Sequence, residues 1–369
     1  MKTRYGRQIV LPEIGDSGQE RLAKARVLVV GAGGLGSPAL LYLTAAGVGL
    51  RSHGGCIGII DHDTVDTSNL QRQIVFNEHD VGQPKTLAAL AHLRALNNQT
   101  GLISHTERLD ASNILDIMGR YDLVIDGSDN FSTKYLINDA AAKLNMPVVY
   151  GSILGFEGQA SVFWASHGPC YRCIYPQPAQ SHIPNCAEAG TLGGIAGLIG
   201  TIQAVEACKL ALGLDHCQKF GIAPLIGQLL IFDGLGWDIR KLDLTKSDGC
   251  PTCSANPDDI PLFDDAPALC ASDARSPLRL KDLNDIHDSG IPMTLIDVRD
   301  DSEWRAGHLD GAIHIPLSRL LSDATSYDLV EPRSLVIVYC HRGIRSARAV
   351  KHLSAKGFDA HNLLVDWPS

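Results

Sequence analysis

Short continuous apolar runs alternate with helical stretches along most of this chain. Arg26-Val27-Leu28-Val29-Val30 is a β-branched run that ends directly in Gly31-Ala32-Gly33-Gly34-Leu35-Gly36, and residues 37–47 then read as a helix rich in Ala and Leu. A second run, Ile57-Gly58-Ile59-Ile60, ends in Asp61, and a third, Asp122-Leu123-Val124-Ile125-Asp126, ends in Gly127-Ser128-Asp129-Asn130. Helices are predicted over 84–96 and 133–144, and further strands over 147–150, 158–164 and 229–232. Strands without polar alternation, separated by helices, predict a parallel sheet covered on both faces.

Between 253 and 276 the pattern stops and Asp, Pro and Ala dominate, with Pro257, Pro261 and Pro267 breaking any long element. The α/β alternation restarts after Pro277, with strands over 295–298 and 335–339 and a helix over 346–356. The expected architecture is α/β throughout: a Rossmann-like nucleotide-binding domain over 1–254, a linker over 255–276 and a smaller α/β domain over 277–369.

Composition narrows the functional classes. With 369 residues, 45% hydrophobic and 20% charged, the chain has ordinary globular composition. Its formal net charge of −9 argues against a nucleic-acid or anionic-membrane partner, so any phosphate site must be locally basic. Neither a signal-peptide pattern nor an uninterrupted membrane-length apolar run is present, which predicts a cytoplasmic protein. In a reducing compartment its ten cysteines read as metal ligands, nucleophiles or buried packing rather than disulfides.

A GxGxxG turn between strand and helix offers backbone N–H groups and a helix N-terminus to phosphate. Asp61, at the end of the next strand, is placed to accept ribose hydroxyls as in dinucleotide folds. On these features alone a nicotinamide oxidoreductase is the default. Asn69-Leu70-Gln71-Arg72-Gln73 and Gly82-Gln83-Pro84-Lys85 shift the reading, because hydride transfer needs no such cations whereas attack at an α-phosphate does. Asp129 is then available to hold Mg²⁺ against the phosphates.

Arg4-Tyr5-Gly6-Arg7-Gln8, the glycine turn, Asp61-His62-Asp63, Ser68-Asn69-Leu70-Gln71-Arg72-Gln73, Gly82-Gln83-Pro84-Lys85 and Ser128-Asp129-Asn130 together resemble the MoeB/ThiF adenylyltransferases related to ubiquitin-activating E1 enzymes. The resemblance runs from about residue 4 to 253. It implies that ATP adenylates the C-terminal glycine, in a Gly-Gly end, of a ubiquitin-like sulfur carrier. It also implies a nucleotide site made by Gly31, Gly33, Gly34, Gly36, Asp61, Asn69, Arg72, Gln73, Lys85, Asp129 and Asn130. Asp61 would bind the ribose, Asn69, Arg72 and Lys85 the phosphates, and Asp129 the Mg²⁺. In this family the early arginine, here Arg7, reaches the partner subunit's ATP, which implies a homodimer.

Cys170-Tyr171-Arg172-Cys173 and Cys250-Pro251-Thr252-Cys253 are the expected halves of a closed, structural Cys₄ zinc site, with two unrelated CxxC pairs or a redox disulfide as the alternative. Cys186 lies where the family can carry a cysteine that bonds to the activated carrier. That leaves open an E1-like conjugation through a Cys186 thioester.

Near the C-terminus, Cys340-His341-Arg342-Gly343-Ile344-Arg345 follows a buried-type strand and precedes a helix, so loop N–H groups should converge on the Cys340 sulfur, with Arg342 and Arg345 adding positive charge. The four residues between Cys340 and Arg345 make a smaller ring than in cysteine phosphatases, suited to a persulfide. With Ile296-Asp297-Val298-Arg299, Glu303-Trp304 and Gly307-His308-Leu309-Asp310-Gly311-Ala312, this segment resembles a rhodanese domain. The combined expectation is carrier adenylation followed by sulfur transfer from a Cys340 persulfide, the sulfur coming from a cysteine desulfurase or thiosulfate. Molybdopterin, thiamine, cysteine and tRNA-thiolation pathways all use such carriers.

Overall fold

The computed structural model describes residues 4–176, 190–264, 278–279, 283, 286, 292–322, 334–340 and 343–365. They fall into two compact units, 4–264 and 278–365.

The first unit runs α1 (Gly6–Ile9), α2 (Gly15–Lys24), β1 (Arg26–Val30), α3 (Gly36–Ala46), β2 (Cys56–Ile60), α4 (Lys85–Leu96), β3 (Leu102–His105), α5 (Ile114–Met118), β4 (Leu123–Asp126) and α6 (Phe131–Lys143). There follow β5 (Val148–Leu154), β6 (Glu157–Phe163), α7 (Tyr171–Ile174), α8 (Gly193–Leu212), α9 (Leu214–Phe220), β7 (Gln228–Asp233) and β8 (Asp238–Asp243). The strands form one sheet in the order β3-β2-β1-β4-β5-β6-β7-β8.

Continuous apolar strands arise because both faces of the sheet are covered. Val27 and Val29 of β1 enter one cluster with Leu40, Leu43, Ile57, Ile59 and Leu93, while Leu28 and Val30 enter another with Ile114, Val124, Leu136 and Ile137. Each such buried side chain stabilises the fold by about 1.5–3 kcal/mol relative to exposure.

The sheet is parallel from β3 to β5 and antiparallel from β5 to β8, which differs from the all-parallel expectation. The cause is local: β5 and β6 pair from Leu154↔Glu157 onward across a turn containing Gly155 at φ +59°, which leaves no room for a crossover helix. Strand β8 is exposed along its whole length at the sheet edge.

Helix α8 is 20 residues long and apolar enough to cross a membrane by length and composition. Here it is a core helix. Buried Gln203 donates to the carbonyls of Asp126 and Val149, and buried Glu206 accepts from the Leu225 N–H. A β carbon on Gly200 would lie 2.2 Å from the Leu35 carbonyl oxygen, so glycine is what lets α8 approach the glycine turn this closely.

Residues 255–264 are seated on this unit. Lys143, at the end of α6, donates to the carbonyls of Pro257, Asp258 and Ile260 at 2.6, 3.1 and 3.0 Å, and Ile260 is buried.

The second unit contains β9 (Leu278–Arg279), β10 (Met293–Asp297), α10 (Asp301–Ala306), β11 (Ile313–His314), α11 (Leu317–Ser322), β12 (Leu335–Tyr339), α12 (Ile344–Ala355) and β13 (Ala360–Leu364). Its sheet is parallel in the order β11-β10-β12-β13-β9, with Val336, Val338 and Cys340 buried in one cluster and Ile337 and Tyr339 in another.

Candidate functional site

The strand order reverses direction at β1, with β2 on one side and β4 on the other, so the crevice at their carboxyl ends is the natural ligand position of an open α/β sheet. The glycine turn opens it. Gly31 has φ +88°, and a β carbon on Gly36 would sit 1.8 Å from the Gly31 carbonyl oxygen, so both positions require glycine. The Asp61 carboxylate accepts the Ala32 N–H at 2.9 Å and the Asp63 N–H at 2.9 Å. It thereby ties the end of β2 to the turn.

Arg72 and Gln73 come to the glycine turn from the side. A β carbon on Gly34 would lie 3.4 Å from Arg72 Cγ, and one on Gly33 would lie 3.8 Å from Gln73 Nε2. Arg72 spends one guanidinium N–H on the Ser68 carbonyl at 3.0 Å. Buried Gln73 leaves its Oε1 without a hydrogen-bond partner among the described residues, at the edge of the crevice.

Lys85 is buried and its ammonium donates to Asp63 at 2.8 Å, so the cation expected on phosphate is delivered by a carboxylate two residues past Asp61. Burial alone would raise the Asp63 pKa, but the Lys85 hydrogen bond and charge outweigh it and hold the carboxylate below its usual range. An ammonium has three donors, and Asp63 takes one. The ligand atoms of Asp61, His62 and Asp63 lie within 4.8 Å of one another at the mouth of the crevice.

Two of the expected contact residues are engaged in local structure. Asn69 accepts the Asp66 N–H at 3.2 Å in a capping box, and Asn130 caps α6 by accepting the Thr133 N–H at 2.9 Å. Asp129 is exposed beside that cap, and Arg7 is exposed on α1.

Beneath the 127–130 turn is a pair the sequence did not reveal. Lys134 donates to Asp126 Oδ2 and to the Gly151 carbonyl, both at 3.0 Å, and Asp126 Oδ1 accepts the Ser128 N–H and hydroxyl at 3.0 and 2.6 Å. Both charges are buried, which fixes the turn carrying Asp129. Asp126 was legible only as a strand end, and nothing in the spacing marks Lys134 as its partner.

The four cysteines of the CxxC pairs come together. Their sulfurs lie within 4.8 Å of one another, with Cys170 Sγ 3.5 Å from Cys250 Sγ and Cys173 Sγ 3.3 Å from Cys253 Sγ. Cys170 and Cys250 share a hydrogen bond that draws the Cys250 thiol below its ordinary range and, together with burial, pushes Cys170 above it. Four sulfurs this close cannot all ionise without a cation among them. A soft divalent ion bound by thiolates fits this donor set. Cys186 lies outside the described residues.

In the second unit Cys340 is buried at the end of β12, and its sulfur receives the Ser346 N–H at 3.4 Å and the Ser346 hydroxyl at 3.3 Å. Ser346, from the first turn of α12, donates hydrogen bonds to that sulfur and belongs to none of the motifs; its position one residue after Arg345 is the signal the sequence offers. Arg345 lies close enough to Cys340 for their charges to interact. It makes a bidentate pair with Glu303 at 2.5 and 2.7 Å. His341 and Arg342 lie outside the described residues.

Arg345 holds Glu303 down to about 2 from the ordinary 4.5. A carboxyl depressed on folding contributes stability above its unfolded pKa and loses it as pH falls through the folded one. The pair should therefore stabilise this unit fully above about 4.5 and fail between there and about 2. Urea titrations at pH 5 and pH 3 check this: Glu303→Gln should flatten the acid decline relative to wild type, and equal declines would refute it. Ser346→Ala should slow sulfur transfer by about tenfold or more through loss of one donor to the sulfur, with Ser346→Thr restoring it. Single-turnover transfer rates decide it.

A family model described as the ThiF family matches residues 5–252, and one described as the rhodanese-like domain matches 279–367. The probable adenylyltransferase/sulfurtransferase MoeZ of Mycobacterium tuberculosis is 41% identical over 99% of this chain and 92% of its own length. The adenylyltransferase and sulfurtransferase MOCS3 of Sus scrofa is 40% identical over 98% of this chain and 82% of its own length. The sulfur carrier protein adenylyltransferase of Thermus thermophilus is 45% identical over 71% of this chain and 94% of its own length. Among solved structures, E. coli MccB with ATP superposes with a TM-score of 0.58 at 19% identity, covering 69% of this chain and 74% of its own, which shows a shared fold.

Proposed function

The chain belongs to the ThiF family and carries a rhodanese-like domain behind it, and from that membership we propose that it is an adenylyltransferase and sulfurtransferase acting on a ubiquitin-like sulfur carrier. The observation that carries the reading is the set of fixed cations and donors around the glycine turn: Arg72 against Gly34, Gln73 against Gly33, and Lys85 presented by Asp63.

In the first step a carboxylate oxygen of the carrier's terminal glycine attacks the α-phosphorus of ATP and pyrophosphate leaves. The turn N–H groups hold phosphate oxygens, Asp61 the ribose, and Arg72 and Lys85 the charge that builds on the α-phosphate. Asn69, Gln73, Asn130 and the glycines Gly31, Gly33, Gly34 and Gly36 would complete the same nucleotide site. Asp129 would hold Mg²⁺, which would neutralise the leaving phosphates when bound. Arg7 would reach across to a second copy's nucleotide in a homodimer.

In the second step the terminal sulfur of a Cys340 persulfide attacks the acyl carbon, AMP leaves with its bonding electrons, and an acyl disulfide results. Attack of the Cys186 thiolate on the Cys340 sulfur then releases the carrier thiocarboxylate and leaves a Cys186–Cys340 disulfide for an external thiol to reduce. The donor that charges Cys340 would be a cysteine desulfurase or thiosulfate. Cys170, Cys173, Cys250 and Cys253 would hold a structural Zn²⁺, joining α7 to the 250–253 turn. Reduced cysteines of this kind suit a cytoplasmic setting.

Mass spectrometry of a Gly-Gly carrier incubated with ATP, a sulfur donor and this protein tests the proposal. One oxygen should be replaced by sulfur, and an unchanged carrier mass together with no pyrophosphate release would sink it.

A further inference from the structure

One buried carboxylate joins the two halves of the cysteine cluster. Asp139, on α6, accepts Arg172 Nε at 2.8 Å and Arg172 Nη2 at 2.7 Å, and also accepts the Thr252 hydroxyl at 2.9 Å. Arg172 lies inside the first CxxC pair and Thr252 inside the second. The neighbouring Asn138 accepts the Tyr171 N–H at 2.7 Å, so consecutive residues of one helix hold both cysteine turns. The Arg172 guanidinium also lies over the Tyr135 ring of α6 at 4.6 Å, and the Tyr135 hydroxyl donates to the Tyr175 carbonyl at 3.0 Å.

The other end of this helix belongs to the crevice. Asn130 caps α6 next to Asp129, and Lys134, one turn before Asn138, ties the helix to Asp126 and Gly151. All residues from 134 to 142 are buried, so the helix has no free face on which to shift independently of its neighbours. Thirteen residues at about 1.5 Å each make a rod of roughly 20 Å with the nucleotide crevice at one end and the cysteine cluster along the other.

We propose that Asp139 positions both metal-binding turns and that α6 couples occupancy of the cysteine cluster by zinc to nucleotide binding at the 127–130 turn. The inference rests on the nucleotide site of the proposed function. Coupling of this kind is reciprocal: nucleotide must tighten zinc by the factor by which zinc tightens nucleotide. Asp139 acts through Arg172 and Thr252 and is a positioning residue.

The test uses the full chain. Calorimetry measures the ATP Kd of the zinc-loaded and metal-free protein, and competition with a chromophoric chelator measures the zinc Kd with and without saturating Mg-ATP. ATP should tighten zinc about fivefold or more, and removing zinc should weaken ATP by the same factor while the far-ultraviolet circular dichroism is retained. Asp139→Asn should weaken zinc by about 10- to 100-fold and abolish the ATP effect, and Thr252→Val should weaken zinc severalfold. If zinc-loaded protein binds ATP but its zinc Kd ignores the nucleotide, or if Asp139→Asn keeps the wild-type zinc Kd, the inference is overturned and the proposed function stands. If the metal-free chain unfolds globally, the linkage runs through folding and the α6 route is overturned. If zinc-loaded protein binds no ATP, the nucleotide site itself is wrong and the inference goes with it.

Discussion

Lys85→Met is expected to slow carrier-dependent ATP–pyrophosphate exchange by about 10²- to 10³-fold, the range for deleting one preorganised donor to a charge that develops in a transition state. The side chain is almost fully buried, and its ammonium is aimed by Asp63, whose own side chain is 55% exposed. Removing Lys85 thus leaves a carboxylate that water can solvate, and methionine fills the stem's volume, so stability should change by no more than about 1 kcal/mol. The loss should appear in the rate at saturating ATP and carrier rather than in the melting temperature. Exchange within a few-fold of wild type would remove Lys85 from the adenylation step. Arg72→Ala should give a similar loss.

Cys340→Ser should abolish thiocarboxylate formation and leave pyrophosphate exchange at its wild-type rate. The two steps belong to two separately packed units, and the Cys340 sulfur has no part in attack at the α-phosphate. A hydroxyl cannot carry a transferable sulfane sulfur, so the residual transfer rate should be that of the free donor. Folding should survive, since serine is close in size and Ser346 offers its N–H and hydroxyl to either atom. The same samples serve both readouts, exchange of labelled pyrophosphate and carrier mass. Thiocarboxylate formation at the wild-type rate by Cys340→Ser would show that the second unit only docks donors.

Much of the first unit was legible because its signals are local. The runs at 26–30, 57–60 and 122–126 are strands within a residue of expectation, and the glycine turn lies where strand meets helix. The helix expected from 133 starts at Phe131 because the Asn130 cap recruits two more residues. The antiparallel half of the sheet was hidden: an apolar strand in a buried sheet looks alike in either direction, and only the short turn at Gly155 sets the sense.

Candidate chemistry followed the same division. Asp61, Arg72 and Gln73 stand at the glycine turn, while Asn69 and Asn130 take part in local caps. Arg345, read as a charge for the cysteine loop, is bound bidentately by Glu303, which lies 42 residues earlier.

The amino-acid order alone determined which groups the protein has to work with: a phosphate-binding turn, four metal-type cysteines, a cysteine at the start of a helix. Those features are written in neighbouring residues, where backbone geometry and spacing fix their meaning. Tertiary structure alone decided what each charge is paired with. Asp139 meets Arg172 and Thr252 across 33 and 113 residues, Lys85 meets Asp63 across 22, and Ser346 reaches Cys340 only once the strand and helix have packed. A buried charge must find its partner wherever the fold brings one, and that choice is made by packing rather than by sequence distance.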